Sequence, residues 1–138
     1  MAGYSETPLI KKLGIKLGHG LAVINEPAAY WKWISPLPEG VVVKSKPSPK
    51  SLDFIHLFVT EKKAYEKEVL RFKKSMKPDG MIWISWPKKS SKMPSDLDEN
   101  IIRNFALKNG LVDIKVCAVD EVWSGLKLVI PVKDRPSF

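Results

Sequence analysis

The sequence predicts an α/β fold, a three-layer arrangement whose mostly parallel sheet is covered by helices on both faces and closed by an antiparallel strand pair. Three observations predict it. Short apolar runs such as LAVIN (Leu21–Asn25) and FIHLFV (Phe54–Val59) lack polar alternation, as strands covered on both faces do. Stretches with helical spacing separate them. The last two runs, Val112–Val119 and Leu126–Val132, follow each other across DEVWSG without a helix between, the pattern of an antiparallel pair.

In chain order, Thr7-Pro8 opens a short helix over PLIKKLG, with Thr7 as N-cap, Pro8 at the first helical position and Gly14 as its stop. Gly18-His19-Gly20 is a turn before the first strand, LAVIN. PAAYWKWI (Pro27–Ile34) reads as a helix because Tyr30, Trp31 and Ile34 share one side, and Pro36, Pro38 and Gly40 end it. Val41–Val43 is a second short strand, and SKPSPKS connects it to the third, Phe54–Val59. Thr60 is the predicted cap of a helix from Glu61 to Met76, with Tyr65, Val69, Phe72 and Met76 on one stripe. Lys77-Pro-Asp-Gly80 reads as a turn before a fourth strand, Met81–Trp86. Asp96 with Glu99 three residues on forms a capping-box pattern, and Leu97, Ile101 and Phe105 mark the buried side of the helix that follows. Asn109-Gly110 ends that helix before the closing strands.

Length and composition bound the function. A chain of 138 residues with 44% hydrophobic and 28% charged residues suits one soluble domain, residues 1–138. No apolar run reaches the roughly 18 residues a spanning helix needs, and MAGYSETPLIKK lacks a signal peptide's apolar core, so the expected location is cytoplasmic and no membrane partner is expected. The lone Cys117 forms no internal disulfide, and His19 and His56 lie too far apart for metal-ligand spacing, so no metal is expected. The net charge of +8 comes mostly from lysine, since only Arg71, Arg103 and Arg135 carry the planar fork suited to phosphate and base edges. Nucleic acid is therefore not the expected partner. His56, mid-strand and without a recognisable nucleophile beside it, reads as a core histidine; Asp120 and Glu121 read as turn residues, with Trp123 covering the sheet end.

The element order resembles a shortened class I methyltransferase fold, the Rossmann-like sheet that ends in an antiparallel hairpin. KLGHGLAVIN resembles the turn and first strand of those enzymes, LDFIHLFV their fourth strand, KPDGMIWIS their fifth strand with its preceding turn, and VDIKVCAVDEVWSGLKLVI their closing pair. The resemblance spans nearly the whole chain and implies that the third strand and its helix are deleted. Through GYSETPLIKKLGIK, WPKKSS and VCAVDEVWSGLKLV the chain is also similar to a bacterial family of short methyltransferase-like proteins of unknown function. That likeness implies the fold and a bacterial origin, but no activity.

The departures from the methyltransferase pattern set the functional expectation. Where those enzymes carry a glycine-rich loop, this chain has Asn25-Glu-Pro-Ala-Ala29, in which Pro27 removes a backbone donor and Glu26 and Tyr30 are expected to crowd the cofactor space. Where they end the second strand in an acidic ribose hook, VVVKSK offers Lys44 and Lys46. Where some of them carry Asn/Asp-Pro-Pro-Tyr, the chain reads Val59-Thr-Glu-Lys62. The degenerate site leads to the expectation of no cofactor, S-adenosylmethionine being disfavoured, and of a non-catalytic methyltransferase-like module that binds a small anionic ligand or a protein partner. The alternatives are an unorthodox S-adenosylmethionine-dependent methyltransferase and a weak lysine-mediated nucleic-acid binder. No catalytic residue is assigned. The ligand-binding candidates at the strand ends are Asn25, Glu26, Lys44, Lys46, Thr60, Glu61, Trp86, Lys88, Lys89 and Ser90, with Trp86 as an apolar wall among cations.

Overall fold

The computed structural model describes residues 8–138; the predicted cap Thr7 lies outside them. Among the described residues, β1 (Gly20–Ile24), β2 (Val42–Val43), β3 (Leu52–Phe58), β4 (Met76–Pro87), β5 (Val112–Ala118) and β6 (Trp123–Val129) form one sheet in the order β2-β1-β3-β4-β6-β5. The first four strands are mutually parallel, β6 runs antiparallel to β4, and β5 antiparallel to β6. The predicted α/β class and closing pair are therefore observed. The chain leaves β1 toward β2 on one side and later returns to β3 on the other. That reversal opens a crevice at the carboxyl ends of β1 and β3.

Strand periodicity divides the core into two layers. Ile55 and Leu57 of β3 and Ile82, Ile84 and Trp86 of β4 pack beneath α3 (Lys62–Lys73) and α4 (Glu99–Lys108). The intervening Phe54, Phe58 and Trp83 pack on the opposite face with Leu13 of α1 (Leu9–Leu13) and Tyr30 of α2 (Tyr30–Trp33). The two layers explain why FIHLFV and MIWISW show no polar alternation: residues of both parities are covered. Tyr65 donates its hydroxyl to the Ile102 carbonyl at 2.7 Å, joining α3 to α4. Across the sheet, the Trp83 indole N–H donates to the Leu13 carbonyl at 2.9 Å and fixes α1 against β4.

Several local expectations are corrected. α3 ends at Lys73, and Met76 instead begins β4, opposite Leu52. The predicted turn Lys77–Gly80 is an irregularity inside that strand, since the register passes from Leu52–Met76 directly to Phe54–Met81. A Cβ on Gly80 would lie 2.9 Å from the Leu52 carbonyl oxygen, so glycine permits the close backbone approach there. β6 starts at Trp123, earlier than the apolar run suggested, because pairing with β4 continues to Pro87.

The caps also exchange roles. Asp98, not Asp96, caps α4, accepting from the Ile101 amide at 2.8 Å. Asp96 reaches across to accept from the Lys62 amide at 2.6 Å and so serves the first turn of α3, where Thr60 was expected to act. The N-cap position of α3 belongs to Glu61, whose side chain makes no cap bond.

Candidate functional site

The carboxyl edge holds a cleft of about 350 Å³ lined by Asn25, Phe58, Val59, Thr60, Glu61, Ala64, Met93 and Trp123. Asn25 follows β1, Phe58 to Glu61 lead from β3 into α3, and Trp123 opens β6 opposite Pro87. Its walls are largely apolar and aromatic, with the Trp123 ring edge-on to Phe58 at a centroid distance of 5.1 Å. The polar groups are the Asn25 amide, the Thr60 hydroxyl and the exposed Glu61 carboxylate. With Asp96 already bonded to the α3 amino terminus, the acidic side chains complement that helix end, and the cleft favours a neutral or cationic group over an anion.

The sequence candidates divide on inspection. Asn25, Thr60 and Glu61 meet in the cleft, although they come from loops 35 or more positions apart in the case of Asn25 and Thr60. Glu26 accepts from the Trp31 indole N–H at 3.0 Å and is drawn away from the cleft toward α2. Tyr30 is fully buried. Neither side chain lines the cleft, because each has found a partner in the core around α2. Trp86 is buried in the layer beneath α3 and α4, on the face opposite Phe58, so it forms no wall of the cleft.

The lysines do not converge there. Lys44 turns back to donate to the Ser51 carbonyl at 3.5 Å and contacts Gly20, at the amino ends of β3 and β1. Lys88 donates to the Asp120 carbonyl at 2.8 Å. Lys46, Lys89 and Ser90 are exposed and stand outside the lining. The cationic pocket expected from loop positions was an inference from adjacency to strand ends, and side-chain direction decides otherwise.

Trp123 is the cleft residue that sequence reasoning assigned to structure alone. The signal was its place at the start of an antiparallel strand, which lies at the same edge as the carboxyl ends of the parallel strands. Asp120 positions it by accepting from the Val122 and Trp123 amides at 2.9 and 2.7 Å, which is the turn role read from the sequence.

Beneath the cleft floor, Phe58 stacks on His56 with centroids 4.3 Å apart. His56 Nδ1 bonds the Tyr30 hydroxyl at 2.9 Å and Nε2 bonds the Ser85 hydroxyl at 2.7 Å. A neutral ring donates from one nitrogen and accepts at the other, and both hydroxyls can answer either role. Burial pushes the His56 pKa down to about 3 and holds the ring neutral; burial, aided by the Glu26 charge, also pushes the Tyr30 hydroxyl upward. His56 is thus a satisfied core histidine, sealed from the cleft by Phe58.

Asn25 adopts a left-handed backbone with φ of 59°. Glycine is the usual occupant of that conformation and asparagine the side chain that best tolerates it. The turn at the end of β1 is therefore made without glycine.

No protein-family model matches the chain, and no curated protein matches it in sequence. Solved structures do match. A SAM dependent methyltransferase from Aquifex aeolicus shares 17% identity over 89% of this chain and 88% of its own, with a TM-score of 0.62. A putative type 11 methyltransferase from Sulfolobus solfataricus shares 16% over 83% and 85%, at 0.59. The DhpI-SAH complex shares 8% over 91% and 83%, at 0.63. The fold is that of the class I, Rossmann-like SAM-dependent methyltransferases. These neighbours correct the expectation of no cofactor, which rested on missing sequence devices: the fold is a cofactor-binding one, and one neighbour is captured with SAH. Among the described residues no helix is long and apolar enough to cross a membrane.

Proposed function

We propose that this chain binds S-adenosylmethionine at the carboxyl edge of its sheet and acts as a methyltransferase. The observation that carries the reading is the cleft itself, with the Glu61 carboxylate beside Asn25, Thr60 and the aromatic wall of Phe58 and Trp123. Its donor set suits the group. Glu61 offsets positive charge, the aromatic faces accept a cation or a stacked ring, and Asn25 and Thr60 supply hydrogen bonds. The cofactor's contribution when bound is an electrophilic methyl group on a sulfonium. The chain's own residues exclude water from that edge through Phe58, Val59, Met93 and Trp123, and orient the ligand through Asn25, Thr60 and Glu61. The fold likeness supports the same reading, as does the position of Glu26 and Tyr30 outside the cleft lining.

Calorimetric titration of the full chain with S-adenosylmethionine and S-adenosylhomocysteine tests the reading. Saturable binding that weakens at least tenfold in Trp123→Ala supports it. No binding of either compound at millimolar concentration overturns it. A second reading, a cofactor-binding module without methyl transfer, is favoured by one feature: His56 is sealed under Phe58, leaving Glu61, among the described residues, as the only ionisable side chain that lines the cleft. Binding without transfer from labelled cofactor to cellular RNA, protein or small-molecule fractions would select it.

A further inference from the structure

β4 lies between β3 and β6 in the sheet, so the chain leaving β4 emerges between the two walls of the cleft, Phe58 to Glu61 on one side and Trp123 on the other. Before α4 begins, this segment, Lys88–Asp96, ties itself to both. Toward β6, the Lys88 amide donates to the Val122 carbonyl at 2.7 Å and its ammonium to the Asp120 carbonyl at 2.8 Å. Both acceptors belong to the turn in which the Asp120 carboxylate holds the Trp123 amide. Toward β3, the Ser95 hydroxyl donates to the Thr60 carbonyl at 2.7 Å, and the Asp96 amide donates to the same oxygen at 3.3 Å. The Asp96 carboxylate accepts from the Lys62 amide, so the backbone on both sides of Glu61 is held by one short stretch.

Between these anchors the segment is folded by its own bonds. The Ser91 hydroxyl donates to the Lys88 carbonyl at 2.6 Å and accepts from the Met93 amide at 3.3 Å. Lys92 turns the chain with a φ of 60°, and Pro94 fixes a further backbone angle. Met93 is thereby carried to the cleft, which it lines while remaining exposed. Beyond the second anchor, the Leu97 amide donates to the Ser95 hydroxyl oxygen at 3.1 Å, and the Leu97 side chain is buried beneath α3 and α4. The Ser95 hydroxyl therefore both donates and accepts.

We propose that Lys88–Asp96 is a strap that joins the two walls of the cleft into one unit, with Ser95 as the positioning residue for Thr60 and Glu61. Those two residues follow the end of β3 and precede α3, where neither strand nor helix bonding fixes the backbone. A loop of that kind is held by the few hydrogen bonds it makes, each contributing about 1 kcal/mol. The lysine and serine run after Pro87 thus acts on the cleft through backbone carbonyls. The strap needs no cofactor; only the statement that it serves S-adenosylmethionine binding rests on the function proposed above.

Fluorine NMR of the full chain labelled with 5-fluorotryptophan, without cofactor, tests the coupling. The Trp123 signal, identified by its loss in Trp123→Phe, is expected to shift or broaden in Ser95→Ala, although Ser95 bonds to the opposite wall. Ser95→Thr keeps the hydroxyl and is expected to restore the parent signal. Trp31 and Trp33, which pack in the α2 layer, are expected to stay unmoved. Lys88→Met cuts the ammonium bond at the other anchor and is expected to speed hydrogen exchange of the Lys62 amide by about threefold or more. An unmoved Trp123 signal in Ser95→Ala, failure of threonine to restore it, equal movement of Trp31 and Trp33, or unchanged Lys62 exchange in Lys88→Met would overturn the proposal. Calorimetry with S-adenosylhomocysteine supplies the functional arm: about fivefold weaker binding in Ser95→Ala, and parent-like binding in Ser95→Thr. Equal binding by parent and Ser95→Ala removes the positioning role. A parent that binds no S-adenosylhomocysteine counts against the function proposed above and leaves the cofactor-free measurements to decide the strap.

Discussion

His56 Nε2 lies 2.7 Å from the Ser85 hydroxyl oxygen across the β3–β4 pair, and neither residue has any exposed surface. With Tyr30 on its other nitrogen, the ring has both hydrogen bonds but no room for a charge. Its pKa falls to about 3 in the folded chain against about 6.5 when exposed. Between those values the unfolded chain binds the extra proton. Stability therefore declines as pH drops from about 6.5, by up to about 1.4 kcal/mol per unit from this group. Urea midpoints measured from pH 7 to 4 should fall in the parent and fall less steeply in His56→Leu, whose absolute stability is lower. Parallel slopes would exclude His56 as the source.

Asp96 and Thr60 separate on stability. Asp96→Ala removes the acceptor of the Lys62 amide and should cost about 0.5–2 kcal/mol, while Thr60→Ala, whose hydroxyl caps nothing in α3, should stay within about 0.5 kcal/mol. Thermal denaturation of the two variants measures the difference.

Gly125 faces the Trp83 ring at close quarters. A Cβ there would lie 3.1 Å from the Val119 methyl and 3.2 Å from the ring, which the Leu13 carbonyl holds in place. Gly125→Ala should therefore destabilise by about 1–3 kcal/mol through overpacking. Truncating Val119 in the same chain should recover part of that loss, readable by chemical denaturation.

At the cleft, Trp123→Ala and Glu61→Gln are expected to reduce S-adenosylmethionine affinity without lowering the melting temperature by more than a few degrees. Glu61 is exposed and makes no cap bond, so its substitution leaves α3 intact. A comparable change at Lys44, whose ammonium faces the opposite edge, should leave affinity unchanged. Calorimetry on the three variants distinguishes the cleft from a general charge effect.

Much of the fold was legible because periodicity is local. FIHLFV and MIWISW announce covered strands, and Tyr65, Val69 and Phe72 announce the buried stripe of α3. Boundaries were less legible where pairing outweighed turn chemistry, as at Lys77–Gly80, where a Pro-Asp-Gly sequence is carried as an irregularity of β4. Of the candidate site, Asn25, Thr60 and Glu61 could be placed from strand ends alone. Trp86 could not, because one residue's shift in parity moves a strand side chain to the other face.

By itself the sequence determined the layered α/β fold, its closing antiparallel pair and the edge at which the cleft lies, since each follows from spacings within a few residues. Only the tertiary structure decided which side chains meet at that edge. Lys44 and Lys88 bond to carbonyls elsewhere, Glu26 and Tyr30 turn into the α2 layer, and Trp123 arrives from the far end of the chain. The direction of a side chain is set by the partners it finds across the fold, and no local pattern in the sequence encodes those partners.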